Sequence, residues 1–182
     1  GAIATQAWVN VNLGHHGIRL MRSGLSAGTA LEALLSEDEG RERRQVIGVG
    51  RDSVFGYTGG ECTEAKGHVL GKDFAVAGNI LASRHVLDSM ASAFKSSRGE
   101  LGERLMRALE AGDRAGGDSR GKVSAVLLVA SPKPKLWHDL RVDMHASPVE
   151  ELRRIFDAAR AEQEELGDDE DGEVLRVMPV LE

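Results

Sequence analysis

Residues 123–130 constrain the fold more than any other stretch, because every position except Ser124 is small or apolar. Successive side chains of a strand point to opposite faces, so a strand that is apolar on both needs cover on both. The stretch therefore predicts a strand central to a layered sheet. Residues 138–145 add a second strand of a different kind. Leu140, Val142 and Met144 point one way while Asp139, Arg141, Asp143 and His145 point the other, the pattern of a half-buried strand.

Helices bracket these strands. Ser147, Pro148, Val149 and Glu150 form a capping box with proline at the first helical position, and Leu152, Ile155, Phe156 and Ala159 supply its buried stripe. Near the start, residues 2–11 read as a strand, and a short helix from His15 is closed by Gly24. Ser26 caps a second helix whose apolar face is Ala30, Leu31, Leu34 and Leu35.

Residues 45–49 and 53–57 read as adjacent antiparallel strands about the turn Gly50-Arg51-Asp52. The glycine-dense segment 58–73 reads as a loop and a candidate site rim, followed by extended residues 74–76. Val86, Leu87, Met90 and Phe94 mark a third helix, and Leu101, Leu105, Met106 and Leu109 a fourth that Gly112 terminates. The order is strand, two helices, a run of strands, two helices, two strands and a final helix. Helix pairs on both faces of layered sheets fit it.

At 182 residues the chain suits one domain, assigned to residues 1–166, with 167–182 an acidic loop and C-terminal extension. Residues 162–173 hold eight acids and no base, so this one segment accounts for the net charge of −6. A block of like charge repels nucleic acid and is usually solvated, so nucleic acid is not an expected partner. No apolar run approaches the roughly 18 residues of a membrane span, and no signal-peptide pattern opens the chain. Cys62 is the only cysteine, which excludes an intramolecular disulfide and suits a reducing cytoplasm. The first methionine is Met21 and the chain opens at Gly1, so the start is expected to be processed, tagged or truncated.

Several blocks in order carry a resemblance. They are Gly1-Ala-Ile-Ala-Thr-Gln-Ala, Gly24-Leu-Ser-Ala, Ala30-Leu-Glu-Ala-Leu-Leu, Gly40-Arg-Glu-Arg-Arg-Gln-Val, Thr58-Gly-Gly-Glu-Cys with Gly67-His, Gly78-Asn-Ile-Leu, Ala111-Gly-Asp-Arg-Ala-Gly-Gly-Asp-Ser-Arg-Gly and Leu140-Arg-Val-Asp-Met-His. Together they resemble a prokaryotic family called domain of unknown function 1028, grouped with the N-terminal nucleophile (Ntn) hydrolase-like fold, from Gly1 to about Arg154. The resemblance implies an α+β fold, the four-layer α-β-β-α sandwich. It also implies two strands preceding the segment that matches Gly1–Ala7, which this chain does not show. The family commonly has aspartate where this chain has Met144.

The resemblance implies an amide-bond hydrolase, with a small amide or peptide-like ligand and a homodimer as partners and no cofactor. In an Ntn hydrolase the nucleophile is a first-residue Thr, Ser or Cys whose own α-amine takes the proton. Gly1 has no side chain, so the nucleophile is expected upstream, and the alternative is a non-catalytic binding or assembly module on the same fold.

Thr5 is the nearest hydroxyl, but its nitrogen is an amide and it would need a separate base. Asn10, Asn79 and the Gly116-Gly117 turn before Asp118 could present amide donors to an oxyanion, or could simply serve turns. Asp118 and Arg120 could fix a loop between themselves or hold a substrate carboxylate. Cys62 and His68 could form a thiolate pair, against the plainer role of a small buried thiol. His15 and His16 are adjacent and diverge on a helix, which disfavours a shared metal. Asp139, Asp143 and His145 have the donor types for a divalent cation, with Arg141 between them favouring a solvated face.

Overall fold

A computed structural model describes residues 1–133 and 136–165. The elements follow the expected order: β1 (Ala2–Ala7), α1 (Val11–Arg22), α2 (Ala27–Ser36), a 3-10 turn (Arg41–Arg43), β2 (Arg44–Val49), β3 (Val54–Thr58), β4 (Gly67–Leu70), β5 (Ala75–Gly78), α3 (His85–Ser96), α4 (Leu101–Arg114), β6 (Ala125–Val129), β7 (His138–Val142) and α5 (Pro148–Glu165). The chain is a mixed α and β protein with small antiparallel sheets ordered β1-β2-β3, β4-β5 and β6-β7. Two compact units emerge, one of Gly1–Ser97 with Arg107–Gly121 and one of Arg98–Met106 with the described residues from Lys122 on. Among the described residues no helix is long and apolar enough to cross a membrane.

In the first unit, β2 pairs with β1 and β3 in a register that sets Val46 beside Thr5 and Tyr57, and Gln45 beside Gln6 and Thr58. The face carrying Val46 is covered by α1 and α2, whose Leu13, Leu31 and Leu35 form a core with it, flanked by Ile3, Leu34, Phe55 and Tyr57. The opposite face meets the β4-β5 hairpin. A Cβ on Gly56 would lie 2.8 Å from side-chain atoms of His68 and Leu70, so the missing side chain in β3 is what lets β4 lie across it. Helix α3 covers the hairpin in turn, burying Val86, Leu87, Ala91 and Phe94, with the Phe74 and Phe94 rings 5.0 Å apart.

Four sequence expectations are corrected here. Helix α1 starts at Val11, four residues before His15, because the Asn10 side chain accepts from Asn12 N and caps it. The segment 58–73 is not all loop, since Gly67–Leu70 forms β4. Helix α4 runs past Gly112 to Arg114, and the positive φ of Gly116 and Gly117 ends it instead. The acid-rich segment starts inside α5, which extends to Glu165; residues 166–182 lie outside the described residues.

In the second unit α5 packs on β6 and β7. Phe156 is fully buried, and its ring stands edge-on to that of His138 at 5.1 Å. Arg153 donates to Glu103 at 2.7 Å. Residues 123–130 are expected to form a central strand, and among the described residues they do not. Strand β6 has one partner among the described residues, and its burial alternates, with Leu127 and Val129 buried while Val126 is 45% and Leu128 63% exposed. Strand β7 stops at Val142, short of His145, because its partner β6 begins at Ala125.

Candidate functional site

The polar centre of the first unit is Gln45, which sequence reasoning did not single out. Its side chain is fully buried on the β2 face that meets the hairpin. Its Nε2 donates toward Thr58 Oγ1, Gly67 O and Gly78 O, each at 2.9 Å. Its Oε1 accepts from Gln6 Nε2 at 2.6 Å and from Asn79 Nδ2 at 3.1 Å. One amide thus ties β1, β2 and β3 to the open end of the hairpin, where Gly67 and Gly78 are register partners. Thr58 Oγ1 in turn lies 2.9 Å from His68 Nδ1. Burial, and then the Arg84 guanidinium, push the His68 pKa down, so its ring is neutral near pH 7.

Asn79 follows the last residue of β5 and precedes a strained backbone position. Ile80 has φ of 55°, a conformation that β-branched residues rarely adopt. It is pinned from two sides, its N–H donating to Thr63 O and its carbonyl accepting from both Ser119 N and Ser119 Oγ. Ala82 N donates to Gly117 O, so the turn 116–120 is stitched to the segment after β5. The separate blocks Gly78-Asn79-Ile80-Leu81 and Gly116–Arg120 are thereby brought together.

Asp118 and Arg120 engage each other, through Nε at 3.0 Å and Nη2 at 2.7 Å, and Asp118 also accepts Arg120 N at 2.8 Å. The Arg120 hydrogen bonds hold the Asp118 pKa low. This is the loop-fixing arrangement of the two considered.

Thr5 faces the helices, with its Cγ2 4.0 Å from where a Cβ on Gly14 would stand. Its Oγ1 is buried without a hydrogen-bond partner among the described residues, and no base reaches it. Asn10 caps α1 and donates from Nδ2 to Asp38 at 2.9 Å. Asp38 also accepts from Arg44, at 3.0 and 3.1 Å, and from Gly40 N. These bonds, the Arg44 guanidinium first, lower its pKa to about 2. The group lines an open cleft of about 500 Å³ with Asn12, His16, Glu37 and Glu39. The Asp38 oxygens there are occupied by protein donors.

Cys62 is buried, donates to Arg44 O at 3.3 Å, and has its thiol pKa raised by burial; His68 is committed to Thr58. His15 and His16 are both exposed on α1. Asp139 sits on the exposed face of β7, while Asp143 and His145 lie beyond the strand and His145 Nδ1 accepts Ser147 N. Among the described residues no three His, Cys, Asp or Glu side chains are placed to hold a metal ion together.

The sequence profile of the family of unknown function DUF1028 matches residues 1–152. The chain belongs to this family. Every residue of the Gln45 cluster and of the turn 116–120 falls inside the matched span of this DUF1028 chain. The crystal structure of a DUF1028 protein from Silicibacter pomeroyi is 28% identical, with 88% of this chain and 74% of that chain covered and a TM-score of 0.79. No curated protein matches the chain.

Proposed function

We propose that this DUF1028 chain is the body of an amide-bond hydrolase built on the Ntn four-layer α-β-β-α sandwich over about residues 1–166. In this reading 167–182 is an extension and the nucleophile is carried on a segment N-terminal to Gly1. The observation that carries the proposal is the convergence of three carboxamides, Gln6, Gln45 and Asn79, between a three-stranded sheet and a hairpin that have helices on their outer sides.

Gln6 and Asn79 each spend one N–H on Gln45 Oε1. Each keeps the other without a partner among the described residues. Such fixed amide donors can hold an amide carbonyl and stabilise the oxyanion that forms on it when a nucleophile adds, commonly the largest single contribution to acyl-transfer rates. The substrate class is a small amide or peptide, and two copies pair through their helical layers.

The second reading is a ligand-binding or assembly module on the same fold. The buried hydroxyl of Thr5, without a partner among the described residues, and the mutual pairing of Asp118 and Arg120 favour it, because neither arrangement is poised to react. Replacing the first residue of the mature protein by alanine decides between the two. Loss of amide turnover with an unchanged circular dichroism spectrum supports the hydrolase, and unchanged turnover rejects it.

A further inference from the structure

Gln45 faces more acceptors than it has hydrogens to give. Its Nε2 lies 2.9 Å from each of Thr58 Oγ1, Gly67 O and Gly78 O, and a carboxamide nitrogen carries two hydrogens. Two of these acceptors are backbone carbonyls, which can only accept. The third, Thr58 Oγ1, has a hydrogen of its own to place.

Among the described residues Thr58 Oγ1 has two side-chain partners, Gln45 Nε2 and His68 Nδ1, each at 2.9 Å. An amide nitrogen does not accept, so of these two the hydroxyl can donate only to the imidazole. His68 Nδ1 is then the bare nitrogen and Nε2 the protonated one. Packing holds the alignment. Gly56 and Thr58 are two apart on β3 and share a face, and the His68 ring lies across both, its Cδ2 2.8 Å from where a Cβ on Gly56 would stand. From the α3 side Arg84 reaches His68, its Nη2 donating to His68 O at 3.4 Å, and its charge acts on the ring. The strands against β4 bring no charge to the ring, since β5 is Ala75-Val76-Ala77-Gly78 and Tyr57 of β3 packs toward the helices.

We propose that Thr58 and His68 relay protonation to Gln45: a proton taken up at His68 Nδ1 reverses the Thr58 hydrogen bond and shifts the Gln45 N–H groups from Thr58 to the Gly67 and Gly78 carbonyls. One proton enters from solvent and none leaves. With the ring neutral, Thr58 gives its hydrogen away, which makes Oγ1 a better acceptor for Gln45. With the ring charged, Oγ1 accepts from an imidazolium and becomes a poorer acceptor for a second, uncharged donor. Gln45 has two carbonyls to turn to, so its hydrogens move there. Gln45 Oε1 is the common acceptor of Gln6 and Asn79, so a turn of the amide is felt by both. As acid-sensitive regulation of catalysis this rests on the hydrolase reading; the relay itself does not.

Nuclear magnetic resonance of the isotope-labelled chain tests the relay, through the His68 ring nitrogens and the Gln45 side-chain amide from about pH 8 to about pH 5. At the alkaline end Nδ1 should be unprotonated and Nε2 protonated. The Gln45 amide signals should move with His68 in a single step whose midpoint lies below 6.5, because burial disfavours the charged ring. Thr58→Val deletes the hydroxyl with its shape kept and should remove most of the movement at Gln45, while Thr58→Ser should keep it. His68→Gln should leave the Gln45 signals still across the range.

A ring protonated at Nδ1 at the alkaline end, Gln45 signals that stay still while His68 titrates, or movement that survives intact in Thr58→Val overturns the relay. The first two are read on the unaltered chain, so they decide even where a variant does not fold. None of these outcomes bears on whether the mature protein carries a nucleophile.

Discussion

Replacing Gln45 by leucine tests the site's architecture. The substitution keeps the volume roughly constant while deleting an amide that donates toward Thr58, Gly67 and Gly78 and accepts from Gln6 and Asn79. Its two N–H hydrogens serve three acceptors, so four independent bonds are the ceiling; at about 1 kcal/mol net each they amount to about 4 kcal/mol. Leucine recovers some transfer free energy, but the Gly67 and Gly78 carbonyls keep only their ladder bonds, leaving an expected loss of about 3 kcal/mol. At roughly 2–4 °C per kcal/mol for a chain of this size, the melting temperature falls by about 6–12 °C.

Thermal and urea unfolding followed by far-ultraviolet circular dichroism read the change. Asn79→Ala in the Gln45→Leu background should then cost much less than in the parent, because the two share one bond. A Gln45→Leu loss below about 1 kcal/mol, or fully additive variants, would refute the claim that one amide ties the sheets together.

Three further predictions rest on named contacts. Thr5→Val removes a buried hydroxyl that has no partner among the described residues and should raise the melting temperature by about 2–4 °C, a gain of about 1 kcal/mol; a fall shows that the hydroxyl is used. A Cβ on Gly59 would stand 2.2 Å from Glu42 O, whereas one on Gly60 would meet nothing nearer than Glu42 Oε2 at 3.3 Å. Gly59→Ala should therefore cost about 2 kcal/mol or more, and Gly60→Ala much less, by urea unfolding; equal costs contradict the packing. Burial depresses both His68 and His138 below the ordinary 6.5, so the unfolded chain binds more protons in acid. Stability should be full above about pH 6.5 and decline as pH falls below it, with a further loss below 3.8 as Asp38 is protonated; melting temperatures that rise on acidification between pH 7 and 5 contradict this.

The element order was legible because each helix announces itself through a cap and a stripe, as Ser26 with Leu31 and Pro148 with Phe156 do. Its boundaries were less so. Val9 and Val11 gave residues 2–11 a strand's composition, and only the side chain of Asn10, accepting from Asn12 N, turns the chain into α1. Glycines hid β4, yet Gly67 is where Gln45 docks on the hairpin, so the residue that argued for a loop belongs to a packed strand.

The polar cluster was half visible. Asn79 and Asp118 stood out as residue types, but their meeting through Ile80 depends on a backbone conformation that composition does not report. Gln45 left one faint signal, a lone carboxamide before Val46-Ile47. A polar side chain in a strand points to solvent more often than to a buried partner, and here the hairpin above it reverses that. The apolar run 123–130 misled for a related reason, since hydrophobicity on two faces states a need for cover without naming what provides it.

Intact-mass measurement with N-terminal sequencing of the protein purified from its native source tests the hydrolase reading most directly. The account predicts a mature chain that starts upstream of Gly1 at Thr, Ser or Cys. A native start at Gly1 would contradict it.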